Sequence, residues 1–207
     1  MSPNDYFIKI IEAYHKARLP KYYHPDIKRG RSTSISSDLE DLTALWIAFN
    51  NPNQCSYFTD QPIKFEGSTT KYPDIVIQNN KTFEIKNLID VKTDIGWNRE
   101  GMYQFCEEWE KRIESVKNTN TSFRNGNGFF SDELTYHVLV ISKMNSGKKI
   151  EADYEKVREE LKNVKLYILS DRVHPNNYEF DIGETMDKIL IHKNEFDRLI
   201  SHIKKSK

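Results

Sequence analysis

Cysteine is scarce in this sequence, and long apolar runs are missing. The 207 residues include only two cysteines, Cys55 and Cys106, which stand far apart and form no CxxC pair. This spacing argues against a disulfide framework and against a cysteine zinc site. No apolar run approaches the roughly 20 residues that span a membrane, and the first residues lack the apolar core of a signal peptide. We therefore expect a cytoplasmic protein.

A net excess of charge is also missing. Lysine and arginine number 31, aspartate and glutamate number 31, and the formal net charge is +0. The overall basic character of many nucleic-acid-binding proteins is absent, so any affinity for a polyanion must come from local clusters such as Lys28-Arg29-Gly30-Arg31. Aromatic residues make up 12% of the chain, which indicates a packed core. We expect a single globular domain over residues 1–207.

The periodicity of apolar residues predicts alternating helices and strands. Helices are predicted at 4–18, 38–50, 99–117, 151–162 and 194–204. Strands are predicted at 62–65, 74–78, 82–93, 135–143, 164–170 and 188–192, and residues 51–61 and 118–131 are predicted to be loops. This order predicts an α/β fold with a mixed β-sheet flanked by helices, in which an antiparallel meander is followed by strands added through helical crossovers.

Two neighbouring strands carry an unusual set of charged residues. Asp90 and Lys92 are two residues apart in an apolar strand, so both side chains leave the same face. Packing alone does not explain an acid and a base on one face of a buried strand. Asp74 opens the preceding strand directly after Pro73 and can approach Asp90 if the two strands pair antiparallel.

Paired carboxylates of this kind favour a divalent cation. Two carboxylates a few ångströms apart raise each other's pKa unless a cation lies between them. Oxygen ligands without histidine or cysteine favour Mg²⁺, for which Mn²⁺ can substitute. A lysine beside such a metal suits the hydrolysis of a phosphodiester bond, because it can hold a water molecule or a phosphate oxygen.

The same residues resemble the PD-(D/E)XK nuclease superfamily, which includes most type II restriction endonucleases. The motif reads Pro73-Asp74, then fifteen residues, then Asp90-Val91-Lys92. The resemblance implies a restriction-endonuclease-like α-β-β-β-α-β core and Mg²⁺-dependent, site-specific cleavage of double-stranded DNA in a restriction-modification system. It also implies a homodimer and no nucleotide cofactor. In this superfamily the preceding helix often supplies another acidic metal ligand, for which Glu40 is the candidate.

Two assignments within the motif stay open. Glu84-Ile85-Lys86 also fits its second half, because a two-residue turn at Asn79-Asn80 would bring Asp74 opposite residues near 85. Glu84 is then the alternative metal ligand, whereas a bulge would restore the pairing with Asp90. Glu40 has an alternative role as well, because it stands three residues after Ser37 in a capping-box pattern.

Candidate DNA contacts lie outside the motif. Arg29, Arg31 and Ser34 precede the second predicted helix and carry donors suited to phosphate oxygens, although a solvated capping loop explains them equally well. Arg99 is placed by the predicted fold at the mouth of the site. Arg124 and Asn125 stand in a polar loop and are of the types that read base edges, although a plain surface loop has the same composition.

Two other functions fit the sequence. One is another nuclease of the same superfamily, such as a repair or junction-resolving enzyme. The other is a DNA-binding module without catalytic activity, in which the motif match is accidental.

Overall fold

The computed structural model describes residues 1–22, 24–65, 70–93, 95, 101–123 and 126–205. Its helices are α1 (Pro3–Ala17), α2 (Ser36–Asn50), α3 (Met102–Val116), α4 (Ile150–Glu160), α5 (Ile182–Lys188) and α6 (Lys193–Lys205). Its strands are β1 (Cys55–Thr59), β2 (Ile63–Lys64), β3 (Thr70–Lys71), β4 (Ile75–Asn79), β5 (Glu84–Lys92), β6 (Asn120–Phe123), β7 (Gly126–Val140), β8 (Val164–Ile168), β9 (Ser170–Asp171) and β10 (Leu190–Ile191). None of the helices in these ranges has the length and apolarity needed to cross a membrane.

The main sheet is mixed, as its sequence pattern predicts. Its strands run in the order β1-β4-β5-β7-β6-β2-β3, and β8 pairs with β7. Strands β1, β4 and β5 form an antiparallel meander. Helix α3 then carries the chain to β7, which is parallel to β5, and α4 carries it to β8, which is parallel to β7. The predicted α/β class with a mixed sheet flanked by helices is confirmed.

The central strands are buried on both faces, which explains their nearly continuous apolar sequences. On one face, Val76, Leu88 and Val138 pack with residues of α3 and α4. On the other face, Ile75 and Ile89 pack with residues of α1, α2 and α6. The sheet therefore lies between two helical layers, each with its own apolar core.

Two segments predicted to be loops contain strands instead. Residues 51–61 include β1, which pairs antiparallel with β4. Residues 118–131 include β6 and the start of β7, which form an antiparallel hairpin. Both predictions were wrong because these strands carry many polar residues: β1 is half-buried throughout, and β6 alternates between exposed and buried positions. Helix α5 was also missed.

The connection between β4 and β5 corrects the prediction of a tight turn at Asn79-Asn80. Residues 80–83 form a longer turn, in which the Asn79 side chain accepts hydrogen bonds from the backbone N–H groups of Lys81 and Thr82. Phe83 has a positive φ of 58°. Ile77 pairs with Asn87 but Gln78 pairs with Ile85, so Lys86 is an extra residue in a β-bulge.

Candidate active site

The bulge brings Asp74 and Asp90 opposite each other. Ile75 pairs with Ile89, so the same register places Asp74, one residue earlier, across from Asp90, one residue later. Asp74 accepts a hydrogen bond from the backbone N–H of Val91 through Oδ2, at 2.5 Å. This bond fixes the Asp74 side chain against the neighbouring strand, on the side of the sheet that α3 covers.

Lys92 completes this group. Its Nζ lies 2.7 Å from Oδ2 of Asp90, and both side chains leave β5 on the same face. Asp90 is buried, with 5% of its surface exposed, whereas the Lys92 side chain keeps 24%. The Lys92 ammonium also lies 5.6 Å from the centre of the Phe105 ring on α3. The ammonium therefore stands between a buried carboxylate and solvent, where it can reach a bound anion.

The two carboxyl groups repel each other strongly in the absence of a cation. The pKa of Asp74 is raised to about 8 from the usual 3.8, first by burial and then by the charge of Asp90, with which its side chain shares a hydrogen bond. The Val91 N–H and the Lys92 charge oppose this shift without cancelling it. A cation that replaced the proton would therefore stabilise this site, because it would neutralise the two carboxylates.

Tyr136 supports Asp90 from the next strand, although the sequence did not predict it as a site residue. Tyr136 is 1% exposed and its ring stacks on Trp109, with centroids 3.9 Å apart and planes 13° from parallel. Burial raises its pKa well above the usual value, and the charges of Asp90 and Asp74 and a hydrogen bond to the Asp90 side chain add to this shift. A tyrosine in an apolar strand has no sequence signal that separates this role from core packing.

Glu40 approaches the same group from α2. Its pKa is raised by burial and then by the charges of Asp60, Asp41 and Asp90, while Lys92 lowers it. The predicted capping box with Ser37 is wrong, because α2 begins at Ser36 and its N-cap, Ile35, makes no side-chain cap.

Asp60, at the end of β1, was also missed. Its backbone N–H donates to the carbonyl oxygen of Asp74 at 3.0 Å, so the chain after β1 lies against the site. Asp60 stands within residues 51–61, for which the sequence pattern predicted a loop. Recognising β1 as a strand paired with β4 would have pointed to it.

The alternative pair lies elsewhere on β5. Glu84 and Lys86 form an ion pair of 3.8 Å, and Lys86 also contacts Glu133 at 2.9 Å. Asp90 lies six positions beyond Glu84 on the strand, a distance of about 20 Å. The structure therefore brings Asp74 together with Asp90 and Lys92, and not with Glu84 and Lys86.

The predicted DNA contacts are only partly within the described residues. Arg29, Arg31 and Ser34 are exposed in the segment that leads into α2, at the end of the helix that carries Glu40. Ser34 Oγ accepts a hydrogen bond from the Ser36 backbone N–H at 3.2 Å, so it supports the first turn of α2. Arg99, Arg124 and Asn125 lie outside the described residues.

The donor set fits Mg²⁺ better than a metal that needs a full cage of protein ligands. Among the described residues, no group of three or more histidine, cysteine, aspartate or glutamate side chains is arranged to hold a metal ion. Asp74 and Asp90 thus provide two carboxylates. Mg²⁺ is commonly bound by one or two carboxylates and takes its remaining ligands from water and substrate phosphate, so two are sufficient.

Comparisons with known proteins do not assign a family. No protein-family model matches the chain, and no curated protein matches it.

Proposed function

We propose that this protein is a Mg²⁺-dependent nuclease of double-stranded DNA with a PD-(D/E)XK active site formed by Asp74, Asp90 and Lys92. This proposal rests mainly on the register of β4 and β5, which sets Asp74 opposite Asp90. Lys92 Nζ lies 2.7 Å from Asp90 in the same group. A buried acidic pair with an adjacent, partly exposed ammonium has no evident role in packing. It suits phosphodiester hydrolysis, which needs a cation site and a positive charge beside the phosphate.

Each residue has a distinct role in this proposal. Asp74 and Asp90 would hold Mg²⁺, which when bound would neutralise charge on the scissile phosphate and make a nearby water molecule more acidic. Lys92, held by Asp90, donates to a phosphate oxygen or orients the attacking water. Glu40, which is linked electrostatically to Asp90 and Lys92, would add a further negative charge and hydrogen-bond acceptor near the cation.

The order of elements supports the proposed core. Helix α2, strands β1, β4 and β5, helix α3 and strand β7 form an α-β-β-β-α-β succession, with the short strands β2 and β3 inserted after β1 and β6 inserted after α3. The parallel pairing of β5 with β7 after an antiparallel meander is compatible with a restriction-endonuclease-like sheet.

A polar groove near β6 and the start of β7 is compatible with site-specific cleavage, and hence with a type II restriction endonuclease. The groove has a volume of about 1020 Å³, and no acidic side chain is among its described lining residues. Its polar lining includes Asn118, Asn120 and Asn127, and asparagine pairs with the edge of adenine. Thr70, the lining residue on β3, is four residues before Asp74, a span of about 14 Å at most. Asn127 and Gly128 line the groove beside the Glu84 end of β5, about 20 Å along the strand from Asp90. A DNA duplex held at Asp74 and Asp90 would contact this groove only if it extended over that distance.

The deciding experiment is cleavage of unmethylated phage DNA with Mg²⁺ or with EDTA. We expect discrete fragments that need Mg²⁺. Asp90→Ala should lower the rate by about a thousandfold, because loss of a metal ligand costs several kcal/mol of transition-state stabilisation. Glu84→Ala is the matched control on the same strand and should cleave at nearly the normal rate.

Each other outcome has a distinct meaning. Loss of activity in Glu84→Ala alone would move the active site to Glu84 and Lys86. A Mg²⁺-dependent smear would keep the nuclease but replace the restriction endonuclease with a repair or junction-resolving enzyme. DNA binding without cleavage on several substrates would refute the catalytic proposal and favour a binding module.

A further inference from the structure

A second cavity lies at the edge of the sheet, away from the proposed nuclease site. It has a volume of about 250 Å³ and is lined by Val157, Arg158, Lys165, Leu166, Arg198 and His202. Strand β8, which carries Lys165 and Leu166, pairs only with β7 among the described strands and therefore ends the sheet on that side. Helix α4 contributes to one wall of the cavity and helix α6 to the other.

The polar residues that line this cavity are all basic. Arg158, Lys165, Arg198 and His202 belong to its lining, and no aspartate or glutamate is among the described lining residues. Lys165, Arg198 and His202 lie near enough to the buried His137 that their charges add to the effect of burial and lower its pKa. The cavity is therefore a region of positive potential.

Nearby acidic groups neutralise only part of this charge. The Arg198 guanidinium pairs with the buried Glu195 at 2.6 Å, and Arg158 pairs with Glu155 at 4.0 Å on the surface. The charge of Glu110 raises the pKa of Lys165, but the Glu110 carboxylate is already engaged in hydrogen bonds. Its carboxylate accepts the backbone N–H groups of residues 162–164.

Lys165 has little hydrogen-bonding or ion-pair support within the described residues. Its side chain is half-buried, and burial lowers its pKa. The charge of Glu110 opposes this shift in part, and the charge of Arg198 adds a smaller lowering effect. Its only hydrogen bond within the described residues is to the carbonyl oxygen of Leu161, at a long 3.4 Å. No carboxylate in the described part of the chain lies within ion-pair distance of its ammonium. A half-buried ammonium can donate three hydrogen bonds, so this one has unused capacity that faces a basic cavity.

We propose that this cavity binds a phosphate group, with Lys165 as its central ligand and Arg158 and His202 at its sides. An ammonium together with a guanidinium suits the several acceptor oxygens of a tetrahedral oxyanion. In the sheet register, Lys165 on β8 stands opposite His137 on β7, and His137 stands opposite Ile89 on β5, next to Asp90. The cavity therefore lies two strands away from the proposed nuclease site. The proposal therefore does not rest on the nuclease activity.

The test measures how inorganic phosphate changes thermal stability, compared with chloride at equal ionic strength. We expect a saturable rise in Tm with phosphate. Lys165→Met, which keeps the aliphatic stem, should weaken the apparent phosphate affinity at least tenfold. Lys162→Met removes the same charge from an exposed position three residues away and should leave the affinity within twofold of the wild type. Asp90→Ala should also bind phosphate normally, which separates this site from the nuclease site.

A rise in Tm equal to that with chloride, or one that persists in Lys165→Met, would overturn the proposal. Folding of the variant is checked independently by its circular dichroism and its Tm in chloride. A short DNA duplex added in EDTA then identifies the source of the phosphate. Competition with inorganic phosphate indicates a DNA backbone contact, and a lack of competition indicates a small phosphorylated ligand.

Discussion

At the scale of single residues, Asp74 illustrates a cost in stability that its proposed role in metal binding would explain. Its pKa is about 8 in the folded protein and near 3.8 when unfolded, so the folded state holds the proton more tightly. The stability that this proton contributes is fully present below pH 3.8 and is lost as the pH rises through 8. At neutral pH and without metal, Asp74 therefore destabilises the fold.

We expect Asp74→Asn to stabilise the metal-free protein. Asparagine can still accept from the Val91 N–H but carries no charge, so the free energy of unfolding should exceed that of the wild type by about 1–3 kcal/mol at pH 8. Urea unfolding in EDTA at pH 5, 6.5 and 8 should show this difference growing with pH. Asp187→Asn, an exposed control on α5, should show no such trend. A difference that is constant or reversed would contradict the role of the carboxyl pair.

Tyr136 should act on the proposed Mg²⁺ site through Asp90. Tyr136→Phe removes the hydroxyl but keeps the ring on Trp109, so the fold should lose only about 1 kcal/mol. We expect the Kd for Mg²⁺ to rise about three- to tenfold, because Asp90 loses a hydrogen bond that orients it. Calorimetric titration with Mg²⁺ measures this change. Tyr57→Phe, which loses a hydrogen bond to Asn51, is the control and should not alter the Kd. Equal Kd values in all three proteins would assign Tyr136 to core packing alone.

At the scale of elements, the start of α2 allows a direct test of which serine supports the first turn of this helix. Ser34 Oγ accepts from the Ser36 N–H, whereas Ser37 lies inside the helix and makes no cap. Ser34→Ala should therefore lower the free energy of unfolding by about 0.5–1 kcal/mol, and Ser37→Ala by less. Denaturant unfolding of the two variants measures the difference. The reverse order would restore the capping box predicted from the sequence.

A buried polar network joins three strands to α6. The His137 ring bonds to Asn87 through Nε2 at 2.8 Å and to Tyr167 through Nδ1 at 3.0 Å, and Tyr167 bonds to His202 at 2.7 Å. Burial is the main cause that lowers the pKa of His137, to about 3 from the usual 6.5. The unfolded chain therefore takes up a proton at this histidine more readily than the folded chain does.

This network should make the protein sensitive to acid. The stability that neutral His137 contributes is present above pH 6.5 and is lost as the pH falls toward 3, by up to about 1.4 kcal/mol per pH unit. Urea unfolding at pH 4, 5, 6 and 7 measures this slope. His137→Gln should be less stable at pH 7 but show a shallower dependence between pH 4 and 6. An unchanged slope would assign the acid sensitivity to other groups.

For the whole molecule, zero net charge means that the DNA affinity we propose would have to come from local basic residues. We expect binding to a DNA duplex in EDTA to weaken with salt, because counterions are released when phosphates are contacted. Replacing both Arg29 and Arg31 with alanine should reduce the slope of log K against log salt by about 2. Lys81→Ala, at the opposite end of β5 from Asp90, should leave the slope unchanged. Equal slopes would make the Lys28–Arg31 run an ordinary solvated surface.

Local periodicity in the sequence determined much of this architecture. Apolar residues at helical spacing predicted α1 and α3, and the apolar runs predicted β4, β5 and β8, because burial of one or both faces constrains nearly every position. The alternation along Leu88–Lys92 also placed Asp90 and Lys92 on one face, since side chains in a strand alternate between faces. That result depends on neighbouring residues alone, so no tertiary information was needed.

Only the tertiary structure decided which residues face each other across strands. The pairing of Asp74 with Asp90 depends on a bulge at Lys86 and a positive φ at Phe83, which form because the apolar residues of both strands must reach both helical layers. The placement of the Tyr136 hydroxyl and of Glu40 near Asp90 likewise depends on contacts between distant parts of the chain. Such contacts are set by the packing of whole layers, which residue spacing does not encode.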